Sequence, residues 1–383
     1  MSIKFFAAHT DSNPSYRKIG SAIALTAFFG AGLSPYAFAY DVTDKFSVGA
    51  TITGVYQQGK FSDTAIGDVG RGAVVTDIGV NFQPTKRDEF DLAVSFAAGN
   101  SLNAVSPYSA HPLYADDLED DLEDINGRKR DYLLTAWYKH TFTLSEDTSF
   151  GLTGGIIDAT GYVDDNKFAN DEVGQFMNEA FVNNTLMVPR SFDTGIAGEL
   201  DIGDSWSLRG VWMNSKNVDT TNNLNRTYNY LAGQLGFHTE SGNYRLIAQG
   251  ASSDFASPTD NTEGLFSVGL SLDQQLTDIV GAFARFGWQD DDATVSHDAL
   301  YSGGINLDGK LWGRVDDEIG LAYAHLSGGN DVIEKTDVME GYIKFQFSEY
   351  TDLSLDIQYL NEQKTDAIDP HGFVYGMRVN AYF

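Results

Sequence analysis

The chain has 383 residues, 54 acidic against 25 basic side chains, a formal net charge of -29 and no cysteine. The acidic excess argues against nucleic acid as a partner, because binding to phosphate backbones depends on clustered lysine and arginine. The absence of cysteine excludes disulfides and thiolate metal sites together.

The first 39 residues have the pattern of an export signal. Arg17 and Lys18 precede an apolar stretch at 19–33, and Ala-Phe-Ala at 37–39 forms a small-x-small cleavage site. The alternative is a buried N-terminal helix. We predict a signal peptide and a mature exported domain of residues 40–383, in which no apolar run approaches the roughly 18 to 20 residues of a membrane helix.

The mature chain is a long series of segments about ten residues long in which apolar and polar side chains alternate. Strict alternation indicates a strand with different environments on its two faces. The count is about sixteen, an even number. The predicted strands cover residues 46–56, 73–82, 90–99, 132–142, 149–158, 193–202, 205–214, 228–239, 244–252, 264–273, 279–288, 299–312, 318–326, 341–347, 353–360 and the C-terminal segment.

The links between these segments alternate in length. Short links at 85–89, 203–204 and 348–352 alternate with longer ones, of which 100–130 and 159–190 are the longest. This asymmetry is typical of outer-membrane barrels, which have tight turns on the periplasmic side and long loops outside. An even strand number would leave both termini in the periplasm.

Two features favour a barrel over a soluble sandwich. The series is too long for one sandwich, and aromatic residues lie near strand ends, where interfacial girdles belong. These are Trp206, Tyr244, Trp288, Trp312 and Tyr382. We therefore predict an all-β fold, a transmembrane antiparallel β-barrel of about sixteen strands in the outer membrane, in contact with lipid and lipopolysaccharide.

The last segment, GFVYGMRVNAYF, alternates up to the final Phe383. In a barrel this strand must pair with the first, so that its apolar face meets lipid and Arg378 points into the lumen. A terminal phenylalanine on such a strand also resembles the signal that the outer-membrane assembly machinery recognises. We expect that machinery to be a partner.

Basic residues recur on the inward face of the later predicted strands. On the lipid face each would cost about 2 to 4 kcal/mol near the midplane, so we expect them to face water. As a set they would give one part of the wall a positive lining. The alternative is that they only pair with inward carboxylates such as Glu199, Asp201 and Asp273. The predicted ladder consists of Arg209, Arg245, Arg285, Lys310, Lys344 and Arg378.

The long link 159–190 mixes carboxylates, amides and aromatic rings. We predict that it folds into the barrel as a constriction loop, opposite the basic ladder. Such a lining offers hydrogen bonds and apolar faces that suit sugars. The alternative is an external loop without pore contact. The predicted lining residues are Asp164, Asp165, Asp171, Glu172, Gln175, Asn178 and Glu179.

Three separated segments agree in order with one known family. IIDATGYVDDNKFANDEVGQFMNEAFVNN, LWGRVDDEIGLAYAHLS (311–327) and TDLSLDIQYL (351–360) resemble the carbohydrate-selective outer-membrane porins of the OprB type. The resemblance implies a sixteen-stranded porin that passes monosaccharides and related small solutes by passive diffusion. Some relatives pass amino acids such as arginine, so a channel for amino acids or a general ion-permeable porin is the alternative.

The sequence predicts no enzyme, cofactor or metal site. Its seven histidines are scattered, with no Ser-His-Asp grouping along the chain. The acidic stretch 114–131 lacks the spaced ligands and glycine of an EF-hand, which favours a solvated loop or a short helix over a calcium or magnesium site. A structural or enzymatic outer-membrane barrel remains as the other class of protein.

Overall fold

The computed structural model describes residues 40–383, apart from 114, 116, 185, 187–189, 220–223, 254, 256–262, 293–294, 330–331 and 366. The predicted export signal therefore lies outside the described residues. None of the described helices is long and apolar enough to cross a membrane.

Nearly all of the regular structure in the described part of the chain is β. The strands are β1 Tyr40–Thr43, β2 Phe46–Ser62, β3 Val69–Phe82, β4 Asp88–Ala98, β5 Leu133–Ser145, β6 Thr148–Ile157, β7 Asp193–Ile202, β8 Trp206–Asp219, β9 Leu224–His238, β10 Gly242–Ala251, β11 Leu265–Gln275, β12 Val280–Gln289, β13 His297–Asp308, β14 Glu318–Gly328, β15 Ile333–Ser348, β16 Thr351–Lys364 and β17 His371–Tyr382. Short 3₁₀ helices lie at Asn103–Val105, Ile125–Gly127, Ala159–Gly161 and Gly309–Trp312.

The sheet closes into a barrel through its last strand. From β2 to β17 each strand pairs antiparallel with the next, and β17 pairs with β2 in a register that sets Val379 opposite Gly54 and Tyr382 opposite Thr51. The short β1 adds only a hairpin arm on β2. The predicted barrel of sixteen antiparallel strands is thus confirmed, and closure leaves no open sheet edge.

The alternation in sequence becomes the two faces of the wall. On β17 the side chains of Phe373, Tyr375 and Met377 are 42%, 43% and 46% exposed, whereas Val374 and Arg378, at the alternate positions of the strand, are fully buried. Apolar side chains point outward from this barrel and polar side chains point inward, which is the reverse of a soluble protein. This arrangement suits an outer face in contact with lipid.

Aromatic rings line the outer face at one end of the barrel. Phe90 lies with its ring centroid 4.7 Å from that of Tyr138 and 6.1 Å from that of Phe82, and Trp206 lies 4.9 Å from Phe237. Phe82, Phe90, Trp206 and Phe237 lie near the ends of their strands on the same side, and Tyr138 extends this row along β5. They form part of an aromatic girdle at the level of a membrane interface.

The two ends of the barrel differ in their connections. The longest, 99–132 and 158–192, join β4 to β5 and β6 to β7 at one end, which we call the long-loop end. The opposite, short-turn end carries links such as 146–147 and 349–350. It also carries the connection 309–317 between β13 and β14. β13 ends at Asp308, whose carboxylate accepts a hydrogen bond from the backbone N–H of Lys310 and caps a 3₁₀ helix.

Candidate solute pathway through the barrel

The 159–190 loop makes contacts across the interior of the barrel. The inward side chain of Gln234 on β9 accepts a hydrogen bond from the backbone N–H of Asp164 at 2.8 Å. On β17, Asn380 donates to the carbonyl oxygen of Val173, also at 2.8 Å. Since β9 and β17 lie on opposite sides of the ring, a segment bonded to inward side chains of both runs through the lumen.

The acidic and amide residues of this loop shape its backbone. Asn166 accepts from the backbone N–H of Phe168, Asp171 from that of Val173, and Asn178 from that of Ala180. Each bond joins the side chain to the backbone N–H two residues later and so closes a turn. Asx side chains supply hydrogen-bond acceptors in this way to backbone that has no regular structure. The Asp- and Asn-rich composition is therefore explained in part by turns alone.

Aromatic packing fixes the same loop to the later strands. The fully buried Phe176 lies 5.2 Å from Phe181 of the loop, 5.0 Å from Tyr342 on β15 and 5.8 Å from Phe283 on β12, between ring centroids. Edge and tilted contacts of this kind add to the gain from burying the rings. One side of the lumen is thus filled by a small hydrophobic core.

The arginines at the centre of the predicted ladder hold the loop to the wall. Arg285 on β12 is fully buried and lies 2.9 Å from Asp164, and it donates to the carbonyl oxygens of Ala169 and Phe181. On β10, Arg245 pairs with Asp165 of the loop and with Asp273.

Arg378 of β17 donates to the carbonyl oxygens of Glu172 and Gln175 and to the hydroxyl of Ser354. Arg209 of β8 pairs with Asp201 at 2.7 Å. These contacts favour the charge-pairing interpretation of Arg209 and Arg245 over a bare positive lining.

The two lysines of the ladder differ from the arginines. Lys344 on β15 is largely buried, and its Nζ lies 3.9 Å from Glu318. Lys310 was expected on an inward strand position, and this is wrong: it lies in the 3₁₀ turn after Asp308 at the short-turn end, with its side chain 53% exposed. The Asp308 cap stops the strand before Lys310 is reached.

The remaining predicted lining residues mainly brace the loops. Gln175 accepts from the backbone N–H of Asn170 and donates to the carbonyl of Lys167. Glu179 accepts from the backbone N–H of His111, which belongs to the other long loop.

Two further wall residues accept hydrogen bonds from the segment 177–178. On β15, Glu340 accepts the backbone N–H groups of Met177 and Asn178, and on β16 Gln358 accepts from the Asn178 side chain at 3.0 Å.

The 99–132 loop also reaches into the barrel, at its long-loop end. The carbonyl oxygen of Pro112 accepts from Gln57 on β2 and from Gln358 on β16, both at 2.9 Å. Within the acidic stretch, Leu118, Leu122 and Ile125 are almost fully buried. The stretch was expected to be a solvated loop or a short helix: its acidic residues 119–121, 123 and 124 are exposed and a 3₁₀ helix follows at Ile125–Gly127, while the apolar residues between them pack against the inner wall.

Further polar side chains point inward on β3 to β7, where the first residues of the 159–190 loop, Tyr162 and Val163, also pack against the wall. Lys139 on β5 pairs with Glu199 on β7 at 2.6 Å, and Asn81 on β3 donates to Glu89 on β4 at 2.9 Å. Asp91, opposite Trp137 in the β4–β5 register, also points inward. Sequence reasoning missed this wall, although the alternation around Phe90 and Leu92 could have revealed it.

A hydrogen-bonded row crosses four neighbouring strands, β8 to β11, near the short-turn end. Ser207 lies 2.7 Å from His238, whose other ring nitrogen lies 2.8 Å from Asn243. Asn243 in turn donates to Asp273, the partner of Arg245. The row joins the polar side chains of the wall into one network, a grouping that spacing along the chain does not show.

Comparison with known proteins agrees with this geometry. Residues 75–383 match the model of the carbohydrate-selective porin, OprB family. The chain is 30% identical over 335 residues to an uncharacterised protein of Aquifex aeolicus (strain VF5), which covers 86% of this chain and 92% of that relative.

Solved structures share the fold. OprB of Pseudomonas putida at high pH has a TM-score of 0.67 and 15% identity, covering 88% of this chain and 94% of that one. The outer-membrane channel DcaP of Acinetobacter baumannii has a TM-score of 0.55 and 10% identity, covering 88% and 97%.

A closed sixteen-stranded barrel with an apolar outside, a polar inside and this family match defines an outer-membrane channel protein that works passively and is not an enzyme. The chain belongs to the OprB family of carbohydrate-selective porins.

Proposed function

We propose that the protein passes small hydrophilic solutes, above all monosaccharides, by passive diffusion, and that the 159–190 loop narrows its channel. The observation that carries the proposal is the path of this loop, which is bonded to β9 on one side and to β17 on the other. The polar side chains of β3 to β7, such as Lys139 and Glu199, then line the passage beside the loop. The family description supports sugars as the solute class.

We expect Trp137, which packs partly buried beside Tyr162 of the loop, to contact a sugar. It points inward on β5, opposite Asp91 and one inward position from Lys139, which pairs with Glu199. A sugar offers hydroxyl groups to such charged side chains and a C–H face to an aromatic ring. The paired charges offer hydrogen bonds without a large net field.

Liposome swelling tests this proposal. Wild-type protein should pass glucose faster than sucrose, because the loop leaves a narrow passage. Trp137→Ala should change glucose flux several-fold, whereas Phe142→Ala, an aromatic residue exposed on the outer face of the same strand, should not. Equal fluxes for both sugars, or faster passage of charged amino acids, would contradict the proposed preference.

We further propose that the chain is exported after cleavage behind Ala39, that both termini lie in the periplasm, and that the assembly machinery recognises the last strand. Phe383 supports the last point. Its backbone N–H donates to Ala50 and its carbonyl accepts from the same residue, which leaves its ring 59% exposed on the closed barrel. We also propose that lipopolysaccharide contacts the barrel at its long-loop end.

A further inference from the structure

The 99–132 loop crosses the mouth of the barrel at the long-loop end. It leaves the wall at the end of β4 and returns to it at the start of β5. Between these points the hydroxyl oxygen of Ser109 lies 3.3 Å from Nε2 of His297, the first residue of β13. In the closed ring of β2 to β17, β13 lies directly opposite β5. A loop that is rooted on one side and bonded on the other spans the mouth.

The tip of this loop, residues 106–113, docks on the far wall at a buried polar cluster. We call this segment the lid. The carboxylate of Glu362 on β16 is buried and accepts from the backbone N–H of Ser109 at 2.8 Å and from its hydroxyl. Nζ of Lys364 lies 3.2 Å from Glu362 and donates to the carbonyl oxygen of Pro107, also at 3.2 Å. The neutral groups of the lid therefore bond to a charge pair of the wall, and such charge-assisted bonds are the stronger kind.

The wall part of this cluster is complete without the lid. Thr336 on β15 donates to Glu362 at 3.1 Å, and Nε2 of His297 lies 2.9 Å from the Thr336 hydroxyl. Lys364 keeps its ion pair with Glu362. Since each wall group retains a partner when the lid leaves, undocking leaves no buried charge unpaired. The cluster is thus a preformed acceptor to which the lid can bind reversibly.

The docked position also carries a cost for the lid. Tyr108 is only 4% exposed, and its ring packs edge-on against Phe61 of β2 with 5.6 Å between the centroids. Among the described residues its hydroxyl finds no hydrogen-bond partner. The loss of water from this hydroxyl opposes the gain from burying the ring. The bonds of Ser109 therefore matter for the balance between the docked and undocked positions.

The lid is also joined to the 159–190 loop. The backbone N–H of His111 donates to the carboxylate of Glu179 at 2.9 Å, and the carbonyl oxygen of His111 accepts from the backbone N–H of Glu179 at 3.0 Å. A displacement of the lid therefore acts on the 159–190 loop as well as on the mouth.

We propose that the lid is a gate at the long-loop mouth, which the bonds of Ser109 to Glu362 hold closed and which opens reversibly to admit solute. The inference rests on the proposed channel function. The two loops then have different tasks. The 159–190 loop sets the width of the passage, because the buried ion pair of Arg285 with Asp164 fixes it to the wall. The lid sets how often the passage is open.

A reversible cross-link tests the gate in the full-length barrel, because the chain has no cysteine of its own. The hydroxyl oxygens of Ser109 and Thr336 lie 3.4 Å apart, which is close enough for a disulfide when both residues are replaced by cysteine. In liposome swelling, the oxidised double variant Ser109→Cys with Thr336→Cys should pass glucose several-fold more slowly than the same protein after reduction. Each single cysteine variant is a matched control, and its glucose flux should not depend on oxidation.

A weaker latch should have the opposite effect. Ser109→Ala removes a hydroxyl that donates to a charged group, so the ratio of open to closed time of single channels in planar bilayers should rise about tenfold or more. Ser106→Ala is the control, because the Ser106 hydroxyl accepts from the backbone N–H of Tyr108 within the lid. It should leave the ratio unchanged. Heat-modifiable migration of each variant checks that the barrel has folded.

The outcomes separate the gate from the proposed function. Equal glucose flux through the cross-linked and the reduced protein, or a cysteine pair that stays reduced under oxidant in the folded barrel, would overturn the gate alone. Absent flux through wild type would overturn the channel proposal. In that case the labelling rate of Thr336→Cys by a polar maleimide decides the gate, because Thr336 is fully buried. Labelling about tenfold faster when Ser109→Ala is added supports the gate, and an unchanged rate refutes it.

Discussion

Replacing Arg285 with Met should release the 159–190 loop without opening the barrel. Arg285 is fully buried, and its guanidinium holds Asp164 at 2.9 Å together with the carbonyl oxygens of Ala169 and Phe181. The variant leaves the Asp164 carboxylate, itself 1% exposed, without its cation. Meanwhile the strand pairs of β12 with β11 and β13 involve backbone atoms and persist.

The magnitude follows from the burial of the pair. Removing one partner of a buried ion pair costs about 3 to 5 kcal/mol, because the other charge stays buried and unpaired. This loss applies to the docked state of the loop. Amide hydrogens that exchange only after the loop detaches should therefore exchange about a hundredfold faster or more.

Hydrogen–deuterium exchange of peptides from 159–190 measures this change. Arg209→Met is the control, since Arg209 donates its hydrogen bonds to Leu200 and Asp201 of β7 and to Leu208 of its own strand. A second variant, Arg285→Met with Asp164→Asn, should recover part of the protection by removing the stranded charge. Unchanged exchange in Arg285→Met would refute the idea that this pair docks the loop.

Two further predictions concern the short-turn end and the last strand. The bonds of Asp317 with Arg314 and Trp312 hold the pKa of its carboxyl below the usual range, so Asp317→Asn should lower the thermal midpoint at pH 7. This difference should shrink below about pH 4, where the Asp317 carboxyl of the unfolded chain takes up a proton, and should be lost once the folded carboxyl is protonated as well; an undiminished difference at pH 2 would contradict the pairing. Deleting Phe383 should reduce the amount of barrel in the outer membrane more than transport per barrel, by quantitative blotting and swelling, and normal surface levels would count against it.

The alternation along each segment was enough to predict the wall. Side chains of a strand point to opposite faces at every second residue, so Arg378 between Met377 and Val379 had to point away from lipid whatever its neighbours were. The strand count was read from the number of such segments, and the pairing of the last strand with the first was expected because a barrel must close. At Lys310 the prediction from alternation was wrong, because the Asp308 cap ends the strand before that residue.

The interior was decided by tertiary structure. Asp77, Asp117 and Glu172 share one cavity although they come from a strand and from two different loops. Likewise Arg285 meets Asp164, which lies 121 positions away in the chain. Such pairs depend on how the ring closes and on which strands a loop reaches once inside. The charge of a side chain and its inward direction are local properties of the strand. Whether a partner neutralises that charge is decided by the closed barrel.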